Sequence, residues 1–542
     1  MRVNRMTSDG LSPAGRLDMV ANKLRLFATM SSRGRGEIGR RTGLKIPRPF
    51  GYAGSSPAVR TIWLGALCAL AACNPRPDDV PVEVSVIGSG RMGGDPTAGA
   101  LPAGARVLRD SVAQGLVRFD AAGGIEPGLA ERWIVIDDGR SLIFRLREAT
   151  WADGTPVVAA DVVPILRRAI GERSRNVLIP YLSAIDEIVA MTPQVIEVRL
   201  RNPRPDLLKL FAQPELGIAR PGTTEGTGPF RIASATDGAV MLRPIAETVA
   251  DEAEDDATPA PQELVRLRGE RASVAILRFA AKRSDLVEGG TFVDWPMLEL
   301  ADIAPNNTRL DSAAGLFGLL VANRTGFLSG RDNRAAIALA IDRAAVTAAY
   351  SDRWAATDTI LPEALDSGAP PAQPDWASVP EPERLAAAQS RIALFRGDDT
   401  TPIRLKIALP AGSGANRLYG LLQSALRPLG LETERVPIDD RGADLRLIDR
   451  VAPYDSARWY LRAACQPCAQ PIATLIADIR LAPDMVTRGR LLAQADSALT
   501  ADVAYIPIAR PLRWSLVATR LRQWTPNARA FHPLNRLRPD PK

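Results

Sequence analysis

Along the chain, short runs in which every second residue is apolar alternate with longer stretches in which apolar residues recur every three or four positions. The first period puts successive side chains on opposite faces of a strand, and the second lines one face of a helix. Strands are predicted at "VEVSVIG" (82–88), "SLIFRLRE" (141–148), "QVIEVRL" (194–200), "PIRLKIALP" (402–410) and "ADLRLID" (443–449). In "DNRAAIALAIDRAAVTAAY" Asp332 is the expected N-cap, and Ile337, Ala340, Ile341, Ala344 and Ala348 share one face of a single helix. "ANRLYGLLQSALRPLG" turns Leu418, Leu421, Leu422 and Leu426 inward, and Gly430 ends it directly before the next strand. Helix running into strand predicts mixed α/β layers. Residues 246–263 are acidic, rich in Ala and Pro and without period, the pattern of a solvated loop or insertion. No repeat of 20 to 50 residues recurs, which excludes solenoids and propellers.

The apolar run Thr61–Ala72 fits neither period. It has 12 residues and no charge, follows Arg60 and ends at Cys73. That is short of the roughly 20 residues that cross a bilayer as a helix. A basic residue, a short apolar core and small residues before a break are the parts of a secretory signal. Leu70-Ala71-Ala72-Cys73 resembles the lipobox of bacterial lipoproteins, which implies that the Cys73 thiol takes a diacylglycerol and that Cys73 becomes the new N-terminus. Two acyl chains hold a soluble domain at a membrane, since each buried methylene contributes about 0.8 kcal/mol and one chain alone binds only marginally. An ordinary signal peptide, or a buried helix with an incidental cysteine, is the alternative. Residues 1–58 carry scattered Arg, Gly and Pro with no period. They read as a leader from a start codon placed too far upstream, with Val59 as the true start, or else as a disordered basic arm.

Charge is read differently once this leader is set apart. The whole chain has 68 Lys and Arg against 61 Asp and Glu, a net charge of +7, but residues 1–72 hold 12 of the former and 3 of the latter. The remaining 470 residues therefore carry about −2. That excludes the basic footprint of a nucleic-acid-binding protein. Their length fits two or three domains, and 46% apolar residues supply a sizeable core. Of four cysteines, Cys68 lies in the signal and Cys73 is the lipid site, leaving Cys465 and Cys468 in "AACQPCAQ". A lone C-x-x-C is a redox motif, half a zinc site or a small disulfide loop. With His532 the single histidine, a four-ligand zinc site lacks partners, and in an oxidising envelope a local disulfide is expected. No metal and no cofactor is expected.

Residues 115–170 are more specific. Gly115-Leu116-Val117, Pro127-Gly128-Leu129-Ala130 before Trp133, Asp137-Asp138-Gly139, Phe144, Leu146-Arg147, Trp151, Asp153-Gly154-Thr155-Pro156 and Asp161-Val162 follow one another in order. Asp138-Gly139 joins two strands as a hairpin turn, Asp153 to Pro156 form a second turn, and Ala160-Asp161 opens a helix. Trp133 and Trp151 read as core anchors. This stretch resembles the family 5 extracellular solute-binding proteins, the oligopeptide, dipeptide and nickel receptors of ABC importers. "GTGPFRI" (226–232), "NRAAIALAIDRAAV" (333–346) and "IPIARPLRWSLV" (506–517) extend the resemblance over most of residues 107–535. It implies an α/β, two-lobed periplasmic-binding-protein fold, type II-like with an extra subdomain. Lobe 1 with that subdomain is expected at 73–320 and lobe 2 at 321–508, with 509–542 returning to lobe 1. The hinge would then be crossed near 318–325 and 506–515, and such lobes close around a ligand by hinge motion.

In peptide receptors of this family an acidic residue of the second lobe commonly pairs with the ligand's α-amine, within a Trp/Gly/Asp-Asp-Pro-like segment. Here that region reads "LRLIDRVAPYDSARWYLRAACQPCAQ", without Gly-Asp-Asp or Asp-Pro. Asp455 is the nearest acidic candidate and Asp449 the next. Arg450, Arg458, Trp459 and Tyr460 are candidates for charge and aromatic walls, the alternative being that Trp459 is core and the arginines are surface. Peptide backbone can also be held by strand-like main-chain hydrogen bonds, which leave no motif.

Three functions compete. The first is a lipid-tethered, monomeric receptor on the periplasmic face of the envelope, which passes a short peptide or similar polar solute to an ABC permease and its ATPase. The second is an envelope enzyme, above all a dithiol oxidoreductase using Cys465 and Cys468. No Gly-x-Ser-x-Gly elbow supports a hydrolase, and "GSGAN" (412–416) is not one. The third is a non-transporting sensor with the same fold.

Overall fold

The alternating segments assemble into four sheets. The computed structural model describes residues 77, 79–236, 238–245, 259–363 and 365–537. The leader, the signal, Cys73 and residues 246–258 of the acidic segment lie outside them. The strands are β1 (Val82–Ile87), β2 (Val117–Phe119), β3 (Ile125–Pro127), β4 (Ala130–Ile136), β5 (Ser141–Leu146), β6 (Ile185–Thr192), β7 (Val195–Leu200), β8 (Phe230–Thr236) and β9 (Ala239–Pro244). They continue as β10 (Val265–Glu270), β11 (Leu286–Thr291), β12 (Thr308–Leu310), β13 (Gly315–Val321), β14 (Ile403–Leu409), β15 (Leu431–Pro437), β16 (Leu445–Val451), β17 (Tyr505–Ala509) and β18 (Arg513–Val517).

A seven-stranded sheet in the order β12-β18-β11-β1-β10-β9-β8 forms the core of the first lobe. At its centre β1 runs parallel to both β10 and β11. Both faces of β1 are covered, which is why the strand is buried at polar positions as well as apolar ones. Val82, Val84 and Val86 pack with Val107, Leu108 and Val112 of the helix Ala103–Val112, while Ser85 donates to Glu270 at 2.6 Å. The second lobe holds a five-stranded sheet in the order β15-β14-β16-β13-β17, with helix Ser413–Leu426 burying Leu418, Leu422 and Leu426 before the left-handed Gly430 leads into β15.

Between β1 and β8 the chain builds the antiparallel sheet β4-β5-β7-β6 and the ribbon β2-β3. The turn from β4 to β5 carries Asp137, Asp138 and Gly139 all at positive φ. In the second turn the Asp153 carboxylate accepts from the Thr155 backbone N–H at 3.0 Å, and helix Ala159–Ile170 follows with Asp161 in its first turn. Leu142, Phe144 and Val198 of this subdomain share one buried cluster with Tyr454, Trp459 and Leu499 of the second lobe.

The chain leaves the first sheet at Leu310, enters the second at Gly315, and returns between Ala509 and Arg513. The passages lie at 311–314 and 510–512, against expected positions of 318–325 and 506–515. The first is earlier than expected because all of β13, from Gly315 to Val321, is buried inside the second sheet. The single helix expected from Asp332 is two, Arg331–Ala340 and Arg343–Ala348. Asp342 accepts from the Ala345 N–H at 2.9 Å, and so caps a new helix in place of continuing the old one. Buried Arg343 donates to the carbonyls of Ala338 and Ile341 at 3.0 and 3.1 Å, satisfying the end of the first helix. The break re-aims the second half: Ile337 and Ile341 are buried as expected, Ala344 and Ala348 are exposed, and Val346 takes the inner face. Gly330, not Asp332, precedes the first helix.

Candidate ligand cleft

A cavity of about 510 Å³ is lined from both lobes, from the antiparallel subdomain and from the C-terminal segment Arg529–His532. Its first-lobe wall is shaped by the pairing of β11 with β18. The pairs Leu286↔Val517 and Val287↔Leu516 are in register, but the next is Gly290↔Trp514, so Glu288 and Gly289 form a bulge. The sequence Glu-Gly-Gly permits this. Gly289 sits at φ +83°, and a Cβ on Gly290 would lie inside the Trp514 indole. Trp514, 1% exposed, donates from Nε1 to the Thr291 carbonyl at 2.9 Å and lines the cavity.

A bulge bends a strand and redirects its side chain, and here the redirected residue is Glu288. It lines the cavity, is 6% exposed, and its Oε1 has no hydrogen-bond partner. Burial pushes its carboxyl up to about 7, helped by the nearby acids Asp311 and Asp110 and opposed by His532. Asp311, in the first passage, accepts from the Asn527 N–H at 2.9 Å and lies 3.2 Å from His532 Nε2. His532 Nδ1 is 3.3 Å from the Asn527 amide, and its ring stacks against Trp524 with centroids 4.6 Å apart. The one histidine is therefore braced on both ring nitrogens, inside the cavity wall. Among the described residues no group of three or more His, Cys, Asp and Glu is placed to hold a metal ion.

Ion pairs surround the cavity, within the first lobe and between the lobes. Arg513 of β18 donates to both carboxylate oxygens of Asp449 of β16, at 2.8 and 3.1 Å. Burial raises the Asp449 carboxyl and Arg513 opposes the rise. Arg106 and Glu215 are paired at 2.8 Å. Of the residues that the sequence singles out, Asp449, Arg450 and Trp459 line the cavity, whereas Asp455, Arg458 and Tyr460 are not among its lining residues. Asp455 is taken by ion pairs with Lys209 and Arg529. Arg458 is buried and donates to the Pro180 carbonyl at 3.3 Å, burial lowering its pKa. Tyr460, 1% exposed, packs edge-on to Trp459 with centroids 4.9 Å apart, and burial pushes its phenol up to about 12. Arg450 is exposed, its backbone is paired with Leu316 of β13, and its side chain makes no hydrogen bond or ion pair among the described residues. Cys465 and Cys468 are placed side by side with Cα atoms 5.0 Å apart, outside the cavity lining.

Glu288, Asp311, Trp514 and His532 are cleft residues that the sequence reading did not assign to a site. The signal for Glu288 was an acid followed by two glycines directly after the apolar pair Leu286-Val287.

Two sheets joined by two short passages, with a cavity lined from both lobes, define a two-lobed binding protein. Residues 124–460 match the family described as bacterial extracellular solute-binding proteins, family 5 middle, and the chain belongs to that family. It is 23% identical over 451 residues to the periplasmic oligopeptide-binding protein OppA of Salmonella typhimurium, spanning 73% of this chain and 81% of that one. A 121-residue stretch is 30% identical to the probable deoxycholate-binding periplasmic protein YgiS of Escherichia coli, covering 19% of this chain and 23% of that protein. The solved structure of the Escherichia coli murein tripeptide binding protein MppA superposes with a TM-score of 0.68 at 18% identity, covering 83% of this chain and 97% of that one. Among the described residues no helix is long and apolar enough to cross a membrane.

Proposed function

We propose that this protein is the substrate-binding component of an ABC importer, which captures a short peptide or similar polar solute between its lobes and delivers it to a membrane permease and its ATPase. The observation that carries this reading is the cavity of about 510 Å³ lined from both lobes of a family 5 fold. Its volume lies within the roughly 300–1,000 Å³ that enclose small ligands. Arg450 supplies an unengaged positive charge and Trp459 an aromatic wall, while the Asp449–Arg513 pair crosses from one sheet to the other where closure must be felt. The role is binding and not catalysis. Cys465 and Cys468 stand outside the cavity lining, which favours a disulfide that stiffens a loop over a dithiol reaction centre. Export and diacylation at Cys73 tether the monomer at the periplasmic face of the envelope, where the permease is within reach.

Native mass spectrometry of protein purified without denaturation, beside the same protein refolded from urea, tests the reading. One small solute per chain, present in the first sample and absent from the second, is expected. Equal masses, together with no thermal stabilisation of the refolded protein by a short-peptide library, would count against it.

A further inference from the structure

Resting on that reading, we infer that Glu288 is the residue that recognises a cationic centre of the solute, and that with Arg450 it selects a molecule carrying one positive and one negative group. The charged residues of the cavity wall fall into pairs. Arg106 faces Glu215, Asp449 faces Arg513, Arg529 faces Asp455, and Asp311 faces His532. Two of the described lining residues stand outside this pairing, Glu288 and Arg450. One lies on the first-lobe wall and the other at the end of β16 in the second lobe, so a solute that satisfies both spans the cleft.

Glu288 is the more informative of the two. Arg450 is exposed and water can solvate it, but Glu288 is 6% exposed with Oε1 unpartnered. Leaving a buried carboxyl without a hydrogen bond is costly, and such groups concentrate at sites where a ligand completes the set. Its placement needs a bulge, a left-handed Gly289 and a Gly290 bare enough for Trp514 to pack on. Those three features turn one acidic side chain into the cavity wall.

The electrostatics agree with a cationic guest. Asp311 from the first passage adds negative charge beside Glu288, as does Asp110 of helix Ala103–Val112 where its own buried carboxyl, raised to about 7, is ionised, and the lining cations Arg106, Arg513 and Arg529 are each engaged by another carboxylate. His532 is the one group found to oppose the rise that leaves the carboxyl at about 7. An arriving ammonium group therefore meets a negative pocket, ionises Glu288 fully and releases its proton to solvent.

The probes are three random tripeptide libraries, one with free termini, one N-acetylated and one C-amidated, offered to the purified wild-type protein, Glu288→Gln and Arg450→Gln and read by native mass spectrometry. Wild type is expected to lose at least tenfold of its bound signal on N-acetylation and on C-amidation. Glu288→Gln is expected to lose the first preference and keep the second, and Arg450→Gln the reverse, with circular dichroism unchanged in both. Equal binding of free and acetylated peptides by wild type, or a preference that survives in Glu288→Gln, would overturn the assignment. If wild type takes none of the libraries, the peptide reading falls. Glu288 is then tested with 4-aminobutyrate, lysine and spermidine by thermal shift. A shift present in wild type and lost in Glu288→Gln upholds its role, and no shift, or the same shift in both, overturns it.

Discussion

Replacing Glu288 with Gln removes one buried acid from the pH dependence of stability. Burial raises this carboxyl from 4.5 to about 7 in the folded protein. A carboxyl held protonated by the fold lets stability stand in full below about 4.5 and takes it away as pH rises through about 7, because the folded state must then ionise a buried group or keep a proton that the unfolded chain has released. At about 1.36 kcal/mol per pKa unit, the loss is about 3 kcal/mol. Glutamine keeps the shape and a polar amide and has nothing to ionise. Asp496, raised to about 6 by burial, titrates in wild type and variant alike, whereas Asp110, itself raised to about 7 by burial, is coupled to Glu288, so the difference between the two curves reports Glu288 together with its effect on Asp110. With an unfolding entropy of about 2.1 cal/mol/K per residue, a fold of this length gains about 3 °C in Tm from 3 kcal/mol. Scanning calorimetry of ligand-free protein between pH 4.5 and 8 reads it directly. The variant should match wild type at pH 4.5 and melt about 3 °C higher at pH 8. Curves that stay parallel over the whole range would refute the view that Glu288 is a buried, unpartnered acid.

Other substitutions probe the scaffold that holds the site. Gly290→Ala drives a methyl into the Trp514 indole, and a loss of about 1–3 kcal/mol by urea denaturation is expected, with weakened ligand binding; an unchanged midpoint would mean that the strand pairing has slack. Asp342→Ala removes the cap of helix Arg343–Ala348 and should cost about 1 kcal/mol in the same assay, whereas no change would show that Arg343 alone sustains the break. Cys73→Ser should move the protein from the membrane fraction to the soluble envelope fraction on cell fractionation, and continued membrane association would remove the lipid anchor from the proposal.

The scaffold was legible where local pattern and burial agree. β1, β5, β7, β14 and β16 all overlap the apolar segments read from the sequence, because strand alternation is a short-range property that survives any tertiary arrangement. The helix from Asp332 breaks where its period alone predicts continuity, because the period does not reveal that the Asp342 carboxylate accepts from the Ala345 N–H. The site was harder for a related reason. Asp455 was the nearest acid to the family's amine-binding segment, but Lys209 and Arg529, distant in sequence, converge on it and take its charge. Glu288 acquires its meaning from a register shift against Trp514 and from the packing of β1 beside it, neither of which has a signature in the nine residues "LVEGGTFVD" beyond the glycine pair. Chemistry built from long-range pairing is visible only after the sheets are in place.

A crystal structure of the protein purified without denaturation tests the central claim most directly. Density for one solute between the lobes, with a cationic group at Glu288 and an anionic group at Arg450, is the expected result. An empty cleft in protein shown by mass spectrometry to carry a solute, or a solute bound anywhere else on the chain, would contradict it.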